Sequence, residues 1–342
     1  MTPIYNQLLI PFLTAMVVAI TMGGSGTAPA FSASYGANVM RKSLIPGLFG
    51  IMVFVGAFLA GKKTASTMGS GILPSEYMDF TVVSIALFSI AVTMLISNIS
   101  GIPQSTSQAA VLALAAPALY FNKLDTHNLF VEIIPAWFIL PIISYFLSFF
   151  AGKYIYQPMR RRGLTIQRAQ NENKRHIWEV VLVIMALYVS FAIGSNNVAN
   201  AAGPLYTMTI NELHIRESDH IVILMLATLV VAPCFGIGAS LFGHKILKNT
   251  GKEIILFGKF EAVIIAFISG SLLLLASVVK GIPTSLVQVN VAAILGIGVA
   301  KMGHKNIFRK TQVKRFFTMW MIAPVISFLL SLLLIFLADK AN

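Results

Sequence analysis

Long apolar stretches without charge alternate with short polar segments along the whole chain. The runs fall at about 8–22, 43–61, 79–98, 129–152, 177–194, 221–246, 254–277 and 316–338. Each is near the roughly 20 residues that carry a helix across about 30 Å of hydrocarbon, so each predicts a transmembrane helix. Gly and Pro inside several of them do not argue against helix, because neighbouring segments in a membrane can satisfy the freed backbone groups. Two further apolar stretches, at about 104–121 and 283–300, are introduced by proline and by Ser or Thr. They are either full spans or half-helices that enter the bilayer and turn back.

Composition excludes a water-soluble fold. Of 342 residues, 57% are hydrophobic and 11% charged, where soluble domains carry about 25% charged residues. Such a chain has too little polar surface to cover its core, and the excess apolar surface needs lipid. The expectation is a multi-pass protein of the plasma (inner) membrane. The N-terminus has no basic segment before its first apolar run, so that run reads as a retained span.

The formal net charge of +13 would suggest nucleic acid binding in a soluble chain. Here the basic residues lie in connecting segments, where cytoplasmic retention and contact with anionic lipid explain them, and no nucleic acid partner is expected. The segment 153–176 holds Lys153, Arg160, Arg161, Arg162, Arg168, Lys174 and Arg175 against one acid, Glu172. A second cluster holds Lys301, Lys305, Arg309, Lys310, Lys314 and Arg315. Both are expected on the cytoplasmic side. The segment 212–219, with Glu212, Arg216, Glu217 and Asp219, reads as an outside or re-entrant connection. Cys234 is the only cysteine; lying in an apolar run, it reads as a packing residue.

The chain is internally duplicated. Gly101-Ile102-Pro103-Gln104-Ser105-Thr106-Ser107-Gln108 returns in outline as Gly281-Ile282-Pro283-Thr284-Ser285-Leu286-Val287-Gln288. Trp137, Pro141 and Ser144 recur at matching offsets as Trp320, Pro324 and Ser327. Gly23-Gly24-Ser25-Gly26-Thr27-Ala28 is weakly matched by Gly194-Ser195-Asn196-Asn197-Val198-Ala199. Three landmarks in the same order divide the chain into a repeat over 1–152, a basic linker over 153–176 and a second repeat over 177–342. Interrupted hydrophobic segments at corresponding positions of two repeats point to a secondary transporter with its site at the repeat interface.

The candidate site residues cluster at these landmarks. Proline followed by hydroxyl residues suits a helix N-terminus, so Ser105, Thr106, Ser107 and Ser285 read as caps. Unpaired N–H groups, the positive dipole end and hydroxyl donors can hold an anion without a buried Lys or Arg. Capping alone is the plainer account of any one serine. Ser25 and the amides Asn196, Asn197 and Asn200 would supply other walls; burying those amides without partners is costly. Helix–helix glue is the alternative for them. Gln108 and Gln288 hold equivalent positions, to donate to an oxyanion or to link the halves. Glu261, in an apolar run, is the proton-coupling candidate, against an interfacial pair. No nucleophilic triad or GxxxxGK[ST] loop is present, so neither enzyme chemistry nor ATP hydrolysis is expected, and no metal or cofactor.

These motifs resemble those of the inorganic phosphate transporter (PiT) family across nearly the whole chain. Gly194-Ser195-Asn196-Asn197-Val198-Ala199-Asn200-Ala201 looks like its Gly-Ala-Asn-Asp-Val-Ala-Asn-Ala signature. Pro103-Gln104-Ser105-Thr106-Ser107-Gln108 looks like its hydroxyl motif, and residues 283–288 like a degraded second copy. The resemblance implies an all-α membrane protein of two inverted repeats with interrupted or re-entrant helices, and a homodimer. The departures are specific. Asn197 stands where the family has Asp; Ser25, Gly26 and Pro29 stand where it usually has Asn, Asp and Asn; Gln108 and Gln288 replace its His-like position. Fewer carboxylates weaken a hard-cation site and repel a divalent anion less. The resemblance extends to a bacterial branch that imports sulfate. It implies sulfate import coupled to protons, with sodium the weaker candidate, by alternating access. Proton- or sodium-coupled phosphate symport and an anion-selective channel are the alternatives.

Overall fold

The computed structural model describes residues 4–36, 39–101, 104–162, 172–243 and 258–341. Pro103, the ends of the runs at 221–246 and 254–277, and residues 163–171 of the basic linker, including Arg168, lie outside them. Eight helical stretches are long and apolar enough to span a membrane, and two apolar helices are shorter. In the first half, α1 (Ile4–Gly36) is followed by α2 (Ile45–Ala60), the short α3 (Lys62–Ser70) and α4 (Phe80–Ser100). Then come α5 (Thr106–Tyr120) and α6 (Ile134–Phe150), the latter lengthened by π-helical turns at both ends. In the second half, α7 (Glu172–Asn197) and α8 (Ala199–Leu213) form one span with a break at Val198. They are followed by α9 (His220–Leu241), α10 (Lys259–Leu275, continued by a π-helical turn to Lys280), α11 (Leu286–Met302) and α12 (Thr311–Ala341).

The packing is symmetric and exchanged between halves. α1 packs on α9 while α2 packs on α7; α5 packs on α12 while α11 packs on α6. Side chains repeat the pattern: Ser144 Oγ donates to the Val289 carbonyl at 2.7 Å, and Ser327 Oγ to the Ala109 carbonyl at 2.9 Å. Both duplicated landmarks thus meet across the interface. The protein is an all-α, multi-spanning fold whose two repeats interlock.

The inversion follows from where helix ends lie. On one face Lys301 Nζ meets Glu261 Oε1 at 2.5 Å, Lys259 meets Glu179 at 2.6 Å, and Gln157 bonds the Ala300 carbonyl. On the other, Tyr120 donates to Asp339 at 2.7 Å and the Phe80 N–H to Glu212 at 3.2 Å. The described basic clusters belong to the first face, which the positive-inside rule assigns to the cytoplasm. The segment 212–219 belongs to the opposite face. Hence α5 runs outward from mid-membrane and α11 runs inward. At 1.5 Å per residue they are about 22 and 25 Å long, each too short to cross on its own.

A belt of apolar side chains on α6 and α12, including Phe138, Ile142, Phe146, Leu329 and Leu333, is exposed and faces lipid. Polar side chains are turned inward or back onto their own helices, as Thr27 onto the Gly23 carbonyl and Ser190 onto the Ala186 carbonyl. The glycine-rich stretch at 23–26 does not interrupt α1. It brings helices together: a Cβ on Gly23 would overlap the Phe235 backbone, and one on Gly194 the Val53 carbonyl. Both would force α1–α9 and α2–α7 apart.

Candidate functional site

The two hydroxyl motifs form matching hairpin tips. Gly101 ends α4 at φ 69° and Gly281 ends the α10 stretch at φ 66°. This left-handed turn is open to glycine at no steric cost. A few residues later Ser105 and Ser285 cap the next helices, each Oγ accepting from the N–H of Gln108 or Gln288 at 3.3 Å. Extended backbone at both caps and a hydroxyl acceptor fit the N-cap rule. The two short helices therefore begin in the same way and run in opposite directions.

The tips meet. Ser107 Oγ donates to the Thr284 carbonyl at 2.9 Å. Gln108 and Gln288 bond reciprocally, Nε2 to Oε1, at 3.2 and 2.9 Å. Two helix N-termini, each with its positive dipole end, converge in the protein interior among buried, uncharged side chains. This is the arrangement expected for an anion held without a basic side chain.

The asparagines of the α7–α8 break wrap both tips. Asn196 donates to Ser277 Oγ and to the Ile282 carbonyl, both at 2.9 Å, and accepts from the Thr284 N–H at 3.0 Å. Asn197 donates to Thr106 Oγ1 and Asn200 to Ser107 Oγ, each at 3.1 Å. Asn196, Asn200 and Ser107 are fully buried. The remaining amide oxygens of Asn197 and Asn200 and the Thr284 hydroxyl are buried without a partner among the described residues. Leaving such groups empty costs about 1–3 kcal/mol each, so this constellation has hydrogen-bonding capacity for a guest. Either end of an amide can serve an oxyanion: NH₂ toward an acceptor oxygen, C=O toward an O–H. The same oxygens could join a hard-cation shell. Among the described residues no group of three or more His, Cys, Asp or Glu is placed to hold a metal.

Nine expected residues thus come together: Ser105, Thr106, Ser107, Gln108, Asn196, Asn197, Asn200, Ser285 and Gln288. Ser25 is buried with its hydroxyl turned onto the Met22 carbonyl of its own helix at 3.1 Å, and no hydrogen bond joins it to the cluster among the described residues. Glu261 is fully buried, but at the cytoplasmic end of α10, bonded to Lys301 and to the Gly258 N–H. Sequence reasoning passed over Ser277 and Thr284, although Thr284 sits inside the duplicated motif and Ser277 repeats Ser97 at the same offset. Behind the glutamine pair a cavity of about 350 Å³ is walled by Trp137, Tyr145, Phe317 and Trp320. Its apolar lining does not suit an anion, and the glutamines separate it from the polar cluster.

Opposed half-helices in an inverted repeat, with a buried, uncharged, polar centre, fit a secondary active transporter for a small anion. The chain belongs to the phosphate transporter family, whose sequence pattern matches residues 22–331. It is similar to the sulfate permease CysP of Bacillus subtilis (strain 168), 31% identical over 337 residues covering 98% of this chain and 89% of that one. It is also similar to a "Putative phosphate permease" of Methanocaldococcus jannaschii, 25% identical with 96% and 95% covered. A solved structure described as the sodium-dependent phosphate transporter shares the fold at a TM-score of 0.84, with 19% identity over 98% of this chain and 100% of that one. The protein is therefore a multi-pass membrane transporter of this family rather than a member of an enzyme family.

Proposed function

We propose that this chain imports inorganic phosphate by cation-coupled symport, the anion binding where the tips of α5 and α11 face the asparagines of the α7–α8 break. The observation that carries this reading is the set of unpartnered groups there, the amide oxygens of Asn197 and Asn200 and the Thr284 hydroxyl. Phosphate near neutral pH bears O–H donors for those amide oxygens and acceptor oxygens for the hydroxyl; sulfate offers acceptors only. Relatives bearing the phosphate name are the more numerous of those compared. This reverses the order expected from the sequence, where the missing aspartates favoured sulfate.

Sulfate remains the second reading, on a specific observation: the 31% identity to a sulfate permease along nearly the whole chain. Coupling to protons through Glu261 belongs to the proposal. Its carboxylate has no contact with the anion cluster; protonation would act by releasing Lys301, which sits at the inner end of α11. Rocking of the two hairpins would then expose the site to each side in turn. Assembly as a homodimer, implied by the family resemblance, is part of the same reading.

The test is uptake of radiolabelled phosphate and sulfate by the purified chain in proteoliposomes, with proton and sodium gradients imposed separately. Saturable, uphill phosphate uptake under a proton gradient is expected. Sulfate uptake that excess phosphate does not inhibit would transfer the conclusion to the second reading. A sodium requirement would remove the proton from it, and large ohmic currents without coupling would make the protein a channel.

A further inference from the structure

The inverted repeat creates two comparable seams beside the site, one on each side of the membrane. On the cytoplasmic side, the seam lies between the second half of α1, α7, α10 and α11. It holds a cavity of about 20 Å³ lined by Ser32, Ala33, Ser34, Ala186, Asn290 and Ile294, among others. That is room for about one water. Asn290 is 3% exposed. Its one hydrogen bond among the described residues is a long one, accepted from Ser269 Oγ at 3.4 Å, which leaves its NH₂ without a protein partner there.

The outer seam is different. The landmarks pair Gly23 with Gly194 and Gly101 with Gly281, so the counterpart of Asn290 is Ala110 and that of Ile294 is Leu114. Ser34 corresponds to Leu205 and Ala262 to Val82. These outer residues are apolar and at most 3% exposed. At these four positions the outer seam carries hydrocarbon side chains, while its mate keeps a polar, water-sized gap. Position along the helix adds to this. Asn290 lies five residues beyond the cap Ser285, about 7 Å nearer the cytoplasm. It also follows Leu286 by four residues, on the same face. Leu286 is the counterpart of Thr106, which receives Asn197 in the other half. The face of α11 that carries Asn290 is therefore the one leading away from the tips along α1.

We propose that this seam is the inner release route, and that Asn290 is the polar station at which the anion leaves the hairpin tips for the cytoplasm. A single amide suits a transit position: it can replace one water of a partly dehydrated oxyanion without holding it. Pro29, Ala30, Ala33, Ala186, Ala262 and Ala266 keep the walls thin, so a small outward tilt of α11 from α1 would widen the gap. The inference rests on the transport reading above, with the tip cluster as the binding site.

The test uses the full chain with Cys234→Ser as background, carrying Asn290→Cys or, on the facing wall, Ala33→Cys. Each is exposed to a membrane-impermeant thiol reagent in inside-out and right-side-out vesicles. Labelling from the cytoplasmic side alone is expected at both positions, slowed at least threefold by saturating inorganic phosphate or sulfate. Uptake should fall more than tenfold after modification, relative to the same variant before it. Ala110→Cys should resist the reagent from the cytoplasmic side. Labelling from the outside only, no labelling of either variant, or modification that leaves uptake intact would overturn the route. If the unmodified background protein transports neither anion, the functional reading itself fails, and the labelling pattern still reports which seam opens.

Discussion

The two repeats share an architecture but not a workload. In the second, the α7–α8 break supplies Asn196, Asn197 and Asn200, which reach the tips of both hairpins. In the first, the matching stretch of α1 supplies Ser25, Gly26 and Pro29, and α1 continues unbroken. Ser25 turns its hydroxyl onto its own helix. The neighbouring hairpin compensates locally: Gln104 bonds Ser97 within its own turn, and Asn98 donates to the Thr21 carbonyl at 2.7 Å. A duplicated fold can therefore keep its symmetric scaffold and tips while one copy retains the polar arms. The scaffold is fixed by backbone-scale fit between helices. The arms depend on a few side chains and can be lost from one side alone.

The comparison breaks most readily at Asn196. Asn196→Ala removes four hydrogen bonds and leaves the Thr284 N–H and the Ile282 carbonyl without this partner; at about 1–3 kcal/mol per orphaned group, uptake efficiency should fall roughly 100-fold or more. A loss no greater than that of Ser25→Ala, measured in the same vesicles, would erase the asymmetry. Glu261→Gln should cost accumulation rather than binding. Uptake driven by a pH gradient should drop to the uncoupled level, while phosphate binding by the detergent-solubilised protein stays within about threefold; unchanged proton-driven uptake would remove Glu261 from coupling.

The glutamine pair sharpens the symmetric part of the comparison. Gln108→Leu and Gln288→Leu each destroy the same reciprocal pair, so each should lower uptake by a similar factor, about 5- to 20-fold. The double variant should be no worse than either single one, the signature of residues acting on each other. Strictly multiplicative losses would show that the amides act independently. The smallest effect is expected at Ser25→Ala, less than about twofold, because its hydroxyl only returns to its own helix.

Much of this was legible before any fold was known. The lengths of the apolar runs foretold the eight spans, since hydrocarbon thickness dictates them. The repeated Gly-Ile-Pro and Ser landmarks foretold two equivalent caps, because left-handed turns and N-caps each favour a short list of residues. The choice between full spans and half-helices at 104–121 and 283–300 was not legible. Both stretches are apolar enough to cross, and their turning back depends on what packs around them. Nor could the sequence tell Ser25 from Asn196 in consequence, or remove Glu261 from the centre of the membrane.

The chain by itself determined that it must live in lipid, that it is built twice, and which short-range signals start and stop its helices. These are properties of local composition and spacing, and solvent and sterics enforce them residue by residue. Only the tertiary structure decided that the tips of α5 and α11 touch, that three asparagines from one half serve both, and that the inner seam keeps a polar, water-sized gap. Such facts join residues 81 or more positions apart, and no local pattern encodes which distant surface a helix face will meet.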